Sequence, residues 1–259
     1  MTIQRVYNRQ IPEALPAHRM LTERVLGLPG AVDLRPWCGP VKDQGSEGCC
    51  TGESGSGGIE WVFRRYLNKK PILSSQFFYS EELIHDNNFP ADDGSDGNTL
   101  CVVAVTKGCC EESLMPFVAG KIIKPDTAQV ANAKQFTLGG YHGVAGSQVA
   151  ASVLCHPTPW VLNLGFTVYE SFESDQVAST GVMPIPEAGE KVLGGHEVLV
   201  VGYDLAETAT LRPHGSLPAF LVKNSWGTGW GIGGFFWMPT AILDDSETDI
   251  KIVHSGKPW

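Results

Sequence analysis

Between residues 50 and 67 the chain combines Ile59, Trp61, Val62, Tyr66 and Leu67 at helical spacing with four glycines, Gly52, Gly55, Gly57 and Gly58. Each glycine in a helix interior costs about 1 kcal/mol against alanine. A helix weakened in this way persists only where neighbours press close against it, so the segment is expected to be the buried central helix of the molecule. The alternative is a loop that becomes helical only at Ile59.

The remaining segments show what could pack on such a helix. Residues 1–30 hold three prolines and scattered apolar residues and read as an extended arm. A second helix is expected over Leu73–Leu83, with a serine at its start. Asn87 to Asn98 reads as a surface loop, Leu100 to Lys107 as a third helix stopped by Gly108, and 115–127 as irregular. Beyond residue 135 the pattern changes to short apolar runs between turns: Phe136–Leu138, Trp160–Leu164, Val198–Tyr203, Ala219–Val222 and Phe235–Met238. These read as strands of an antiparallel sheet or barrel, interrupted by one helix over Gln148–Leu154. A helical half followed by a β half is an α+β, two-lobed pattern: an arm (1–30), a helical lobe (31–135) and a β-rich lobe (136–259).

The chain has 259 residues and a net charge of −9, from 19 Lys and Arg against 28 Asp and Glu, with no block of like charge. That balance argues against nucleic-acid binding. No apolar run approaches membrane-spanning length and the first residues carry no apolar signal core, so a cytoplasmic location without membrane contact is expected. The seven cysteines, Cys38, Cys49, Cys50, Cys101, Cys109, Cys110 and Cys155, are odd in number and include two adjacent pairs. Free thiols in a reducing compartment fit that usage. No spacing suits a zinc site, and no metal or other cofactor is expected.

The chemistry concentrates in Lys42-Asp43-Gln44-Gly45-Ser46-Glu47-Gly48-Cys49-Cys50-Thr51-Gly52. A thiol at the start of a helix meets unpaired N–H groups and a partial positive charge, a setting that lowers its pKa. Across the Gly turn, the Gln44 amide and the Cys50 backbone N–H form a two-donor site for an oxyanion. His196 stands where a Gly turn opens a buried strand and suits a general base for Cys50. Asn224 ends another apolar strand and suits an orienting partner for that imidazole. Trp226 would shield their hydrogen bond from water. Taken singly, each has a structural explanation: a buried thiol, a strand-end histidine, a turn asparagine, a packing tryptophan.

Taken together, the order Gln, Cys, His, Asn resembles the papain-like cysteine peptidases, in particular their disulfide-poor, bacterial-type branch. His196 lies 146 residues beyond Cys50, within the family's spacing of roughly 130–150. Asn224-Ser225-Trp226-Gly227-Thr228-Gly229-Trp230-Gly231 matches the family's Asn-Ser-Trp-Gly-x-x-Trp-Gly element, and Val32–Arg35 with Pro40–Gly45 matches its mature start. The resemblance implies Gln44 for the oxyanion, Cys50 as nucleophile, His196 as acid and base, and Asn224 as orienter, acting as a thiolate–imidazolium pair through a thioester. It further implies a cleft between the lobes lined by Gly48, Cys49, Gly94, Ser95, Gly195, Glu197 and Trp226, with Cys49 near the first subsite and Glu197 in the second.

The chain departs from the family at several places. Glu47 replaces a disulfide cysteine whose partner position falls near Asp92 or Asp93. Thr51 replaces a tryptophan. The stretch ahead of the mature-like start is short, so conventional prosegment control is not expected, and residues 1–30 read as a clamp over the lobes or as the remnant of a prosegment. Ser95 replaces the second glycine of the substrate-binding pair, which predicts a weaker contact there. Glu197 predicts a basic or polar side chain in the second subsite, unless it points to solvent. Peptide or protein substrates and peptide hydrolysis are expected; the alternatives are a non-catalytic protein on the same fold, or a ligase passing the thioester to an amine.

Overall fold

The computed structural model describes residues 5–205 and 217–256, so the first four residues of the expected arm and the last three of the β-rich half lie outside it. The first four α-helices are α1 (Cys50–Tyr66), α2 (Ser75–His85), α3 (Gly97–Thr106) and α4 (Thr127–Ala133). Ser74 caps α2, its hydroxyl accepting the Phe77 N–H at 3.0 Å. Asp96 caps α3 by accepting from both Asn98 and Thr99 N–H groups, which draws that helix three residues earlier than its apolar run suggests. The expected loop therefore ends at Asp96. A capping box at Asp126 and Gln129 starts α4 inside a stretch read as irregular.

The strands are β1 (Met20–Leu21), β2 (Ala31–Asp33), β3 (Gly140–Val144), β4 (Leu162–Tyr169), β5 (Val192–Asp204), β6 (Ala219–Lys223), β7 (Phe235–Pro239) and β8 (Asp249–His254). Three further helices, α5 (Gly146–Cys155), α6 (Asp175–Thr180) and α7 (Thr240–Leu243), lie between them. All eight strands join in one sheet ordered β1-β3-β8-β4-β5-β6-β7, with β2 added on β5. This corrects the barrel-like expectation, because the path is open and its β1–β3 pair is parallel. The strand expected at Phe136–Leu138 is also absent: Lys134–Phe136 is a 3-10 turn, and the strand begins at Gly140. Among the described residues, no helix is long and apolar enough to cross a membrane.

Helix α1 is buried from Cys50 to Phe63. Gly52 and Gly55 face α2, whereas Gly57 and Gly58 face the sheet: a Cβ at Gly52 would stand 2.8 Å from the Ser75 carbonyl oxygen and 3.0 Å from the Tyr79 nitrogen. The opposite face is fastened to the sheet through Ser54, whose hydroxyl donates to the Val198 carbonyl at 2.9 Å and accepts from Asn163 Nδ2 at 2.8 Å. Buried charge on α1 is also matched, since Glu60 accepts the Leu73 N–H at 2.8 Å and pairs with Lys42 at 3.3 Å. The first turn of α1 is thereby locked against β5 (Ser54 to Val198), and this contact positions the site.

Close packing at Gly52 predicts that Gly52→Ala destabilises the fold by about 1–3 kcal/mol in urea unfolding, because backbone on α2 cannot give way. Gly57→Ala, whose Cβ would meet only side-chain atoms at 3.6 and 3.8 Å, is expected to be neutral or stabilising by up to about 1 kcal/mol. Equal effects at the two positions would refute the packing argument.

Candidate active site

Cys50 is the first residue of α1, with Cys49 at its N-cap. Its sulfur receives the backbone N–H of Glu197, the residue after His196 on β5. Cys50 and His196 are both fully buried. His196 Nε2 and Asn224 Oδ1 lie 2.9 Å apart, which leaves Nδ1 as the ring nitrogen with no hydrogen-bond partner. The indole of Trp226 stacks on the imidazole at 5.0 Å between centroids and 26° between planes, and Phe166 on β4 meets it edge-on.

Ser225 ties the two halves of this arrangement together, a link the motif reading passed over although the residue lies inside the motif. Its backbone N–H donates to Asn224 Oδ1 at 2.9 Å, and its hydroxyl donates to Gln44 Oε1 at 2.5 Å. The Gln44 N–H returns a bond to the Ser225 carbonyl at 2.9 Å. Gln44 Nε2 donates to the Glu47 carbonyl at 2.8 Å, so the amide is fixed at both ends across the Gly45 turn. A hydrogen-bonded line thus runs from Gln44 through Ser225 and Asn224 to His196.

The papain family cysteine protease model matches residues 28–253. The chain belongs to the papain family of cysteine proteases. It is 26% identical over 214 residues to an uncharacterized peptidase C1-like protein of Acanthamoeba polyphaga mimivirus, covering 79% of this chain and 66% of that protein. It is 27% identical over 248 residues to cysteine proteinase 1 of Zea mays, covering 89% of this chain and 63% of the relative. The chain therefore spans somewhat under two-thirds of the length of these relatives. Among solved structures, xylellain, a cysteine protease from Xylella fastidiosa, superposes with a TM-score of 0.83 over 99% of both chains at 23% identity. The Amb a 11 cysteine protease of ragweed pollen, in its proform, gives 0.71 over 90% of this chain and 69% of its own at 21% identity. The shared fold is papain-like.

In this papain-family chain the N-terminal arm lies over the residues expected to bind substrate. The Gln10 N–H donates to the Ser95 carbonyl at 2.8 Å, the Gly195 N–H donates to the Tyr7 carbonyl at 3.3 Å, and Asn8 forms a parallel bridge with Gly195. The Asn8 amide donates to the Asp92 carbonyl at 2.7 Å and lies against Gly48. Gly94, at φ +75°, faces the Asn8 carbonyl so closely that a Cβ would stand 2.0 Å from it. Tyr7 meets both His196 and Trp226 edge-on, and Arg5 sits 4.0 Å over the Trp226 ring. The arm adds itself as an extended segment between Gly94–Ser95 and Gly195. Ser95 turns its hydroxyl away to Asp86 at 2.8 Å and offers only its backbone here, so it makes the contact a glycine would make.

Covering the site changes its electrostatics. Burial pushes the Cys50 thiol up to about 12, although the Glu197 N–H favours the thiolate. Burial lowers His196 to about 4, against the pull of Asn224, and the Arg5 and Arg9 charges lower it further. Under the arm, burial therefore favours a neutral thiol and a neutral imidazole over the thiolate–imidazolium pair that the resemblance implies. Desolvation outweighs the helix N-terminus.

Cys49 packs with Tyr79 and Leu83 in a small apolar cluster, and its thiol, like the other six, is unpaired. The Asp92 carboxylate takes the place of the missing disulfide: it accepts the Gly48 N–H at 3.0 Å and the Tyr79 hydroxyl at 2.5 Å. Glu47, buried and near that carboxylate, is raised to about 7, first by burial and then by Asp92. Glu197 is fully buried rather than turned to solvent.

A thiol whose pKa lies far above neutrality ionises more with every step up in pH. Carbamidomethylation of Cys50, followed by peptide mass, should climb roughly tenfold per pH unit between about pH 7 and 9 with no plateau. Tyr7→Ala, which opens the arm over His196, should speed the reaction at pH 7 and move its plateau to lower pH. A plateau near neutrality in the wild type would show that the ion pair already exists beneath the arm.

Proposed function

We propose that this chain hydrolyses peptide bonds, with the nucleophile carried by the helical lobe and the histidine and asparagine by the β-rich lobe. The observation that carries the proposal is the continuous line Gln44–Ser225–Asn224–His196, ending one residue before the N–H that meets the Cys50 sulfur. A line of this kind fixes both the donor for an oxyanion and the tilt of the imidazole before substrate arrives.

With the arm displaced, His196 Nδ1 takes the thiol proton and Cys50 attacks the peptide carbonyl. The resulting oxyanion is met by the Cys50 N–H, in the first helical turn where such groups lack an intrahelical partner, and by the Gln44 amide. His196 returns the proton to the departing amine, leaving a thioester, and then activates the water that hydrolyses it. Trp226 keeps water from the His196–Asn224 hydrogen bond throughout. The cleft-bound arm supports a restraint on this activity by a clamp shorter than a conventional prosegment. Seven unpaired thiols support action in a reducing compartment.

Intact-mass labelling with a peptidyl epoxide tests the assignment. One adduct is expected, faster in Tyr7→Ala, retained in Cys49→Ala, lost in Cys50→Ala and slowed at least about 100-fold in His196→Ala. Labelling that ignores His196, or none even in Tyr7→Ala, would favour a binding role. Product masses from a peptide digest separate hydrolysis from transfer to an amine.

A further inference from the structure

Three neighbouring strands place an acid, a glycine and an acid in one row. Gly165 on β4 stands opposite Glu197 on β5 and opposite Asp249 on β8. Residues directly opposite on neighbouring strands share a face. The two carboxylates therefore flank a position with no side chain, and Arg9 fills it. A Cβ on Gly165 would stand 1.9 Å from the guanidinium carbon. Arg9 Nε donates to Glu197 Oε2 at 2.9 Å, and its Nη2 pairs with Asp249. Lys251 holds Asp249 from the other side at 3.0 Å.

The slot is more than a fastening for the arm. Glu197 has no exposed side-chain surface, and its second oxygen, Oε1, is buried with no hydrogen-bond partner. A buried carboxylate is tolerated only beside a matching cation, so the site remains incomplete whenever Arg9 leaves. The slot also opens onto the trough where the backbone of Tyr7 to Gln10 pairs with Ser95 and Gly195, one residue from the candidate catalytic histidine. A planar guanidinium spans two carboxylates; a lysine ammonium, a point charge, does not.

Resting on the peptidase reading above, we propose that Glu197, Gly165 and Asp249 form an arginine-selecting substrate pocket, which Arg9 occupies as an internal mimic of the substrate side chain. The family resemblance pointed to Glu197 alone and to basic or polar side chains in general. The three-strand row adds Gly165 and Asp249 and narrows the class to arginine.

The test is fluorescence polarisation with two labelled tetrapeptides, Ala-Val-Arg-Gly and its citrulline counterpart, which keeps the shape and removes the charge. On full-length Arg9→Ala the arginine peptide should bind at least about tenfold more tightly than the citrulline peptide, and adding Glu197→Gln should bring the two together. Arg9→Gln serves as a second background. Should neither variant melt cooperatively, the pair is compared on the wild type, where millimolar arginine peptide but not citrulline peptide should accelerate Cys50 alkylation. Equal behaviour of the two peptides, or no binding of the arginine peptide to a folded variant, would overturn the assignment. Selective binding without any cleavage would instead sink the peptidase reading and leave the pocket standing.

Discussion

The contact between the first turns of α1 and strand β5 governs the rest of the structure. It places a cysteine from a helix start and a histidine from a strand next to one another, although 146 positions separate them in the chain. Side-chain packing alone would leave the helix free to slide along the sheet. Ser54, bonded to both the Val198 carbonyl and Asn163, fixes that register, and the Glu197 N–H repeats the constraint at the sulfur itself. The glycines on the other face make this possible, because they let α2 press the helix against the sheet without a layer of side chains between. Precision at the site is thus paid for by poor intrinsic helix propensity, and packing on both faces makes good the loss.

The same enclosure explains why burial disfavours charge at the candidate dyad. A helix N-terminus and a single N–H favour the thiolate by an amount that water access would make decisive. Beneath Tyr7 and Arg9 there is no such access, and desolvation dominates both partners in opposite directions, raising the thiol and lowering the imidazole. The arginines of the arm lower the imidazole further by placing positive charge near His196, whereas Arg9 acts the other way on the thiol. The arm therefore acts on the chemistry as well as on the space. It occupies the candidate substrate trough and, by burying the candidate dyad, favours the protonated thiol.

Much of this was legible in the sequence where one residue type does one job. The glycine-laden α1, the Ser74 cap of α2 and the long apolar run of β5 all lie where periodicity places them. Gln44, Cys50, His196 and Asn224 are brought together around a single hydrogen-bonded line. The misses have physical causes. Strand β3 begins Gly-Tyr-His-Gly and lacks an apolar run, while β8 carries Asp249, Lys251 and His254, of which Lys251 and His254 are buried against expectation for their types. The open sheet, as opposed to a barrel, depends on pairings between distant strands that no local pattern encodes. Ser225 escaped notice because a serine in a turn has many local uses, and its role depends on Gln44 arriving from 181 positions away.

The cover over the candidate thiol and the proposed choice of substrate side chain both depend on the handling of buried carboxylates. At Asp92 a carboxylate joins the Gly48 loop to Tyr79 where relatives are expected to use a disulfide, a solution open to a chain whose thiols stay unpaired. At Glu197 and Asp249 two more carboxylates face a gap in the sheet that only a glycine could leave. Lys251 alone stands beside the two acids when the slot is empty, so the pocket favours a second cation, and the arm supplies one from only four residues beyond Arg5, which stacks on Trp226. Because the arm's hold depends on the same charges that would receive a substrate, weakening the pocket weakens the lock as well. Substrate preference and self-restraint cannot then vary independently, and a change at Gly165, which would close the slot to any guanidinium, must alter both together.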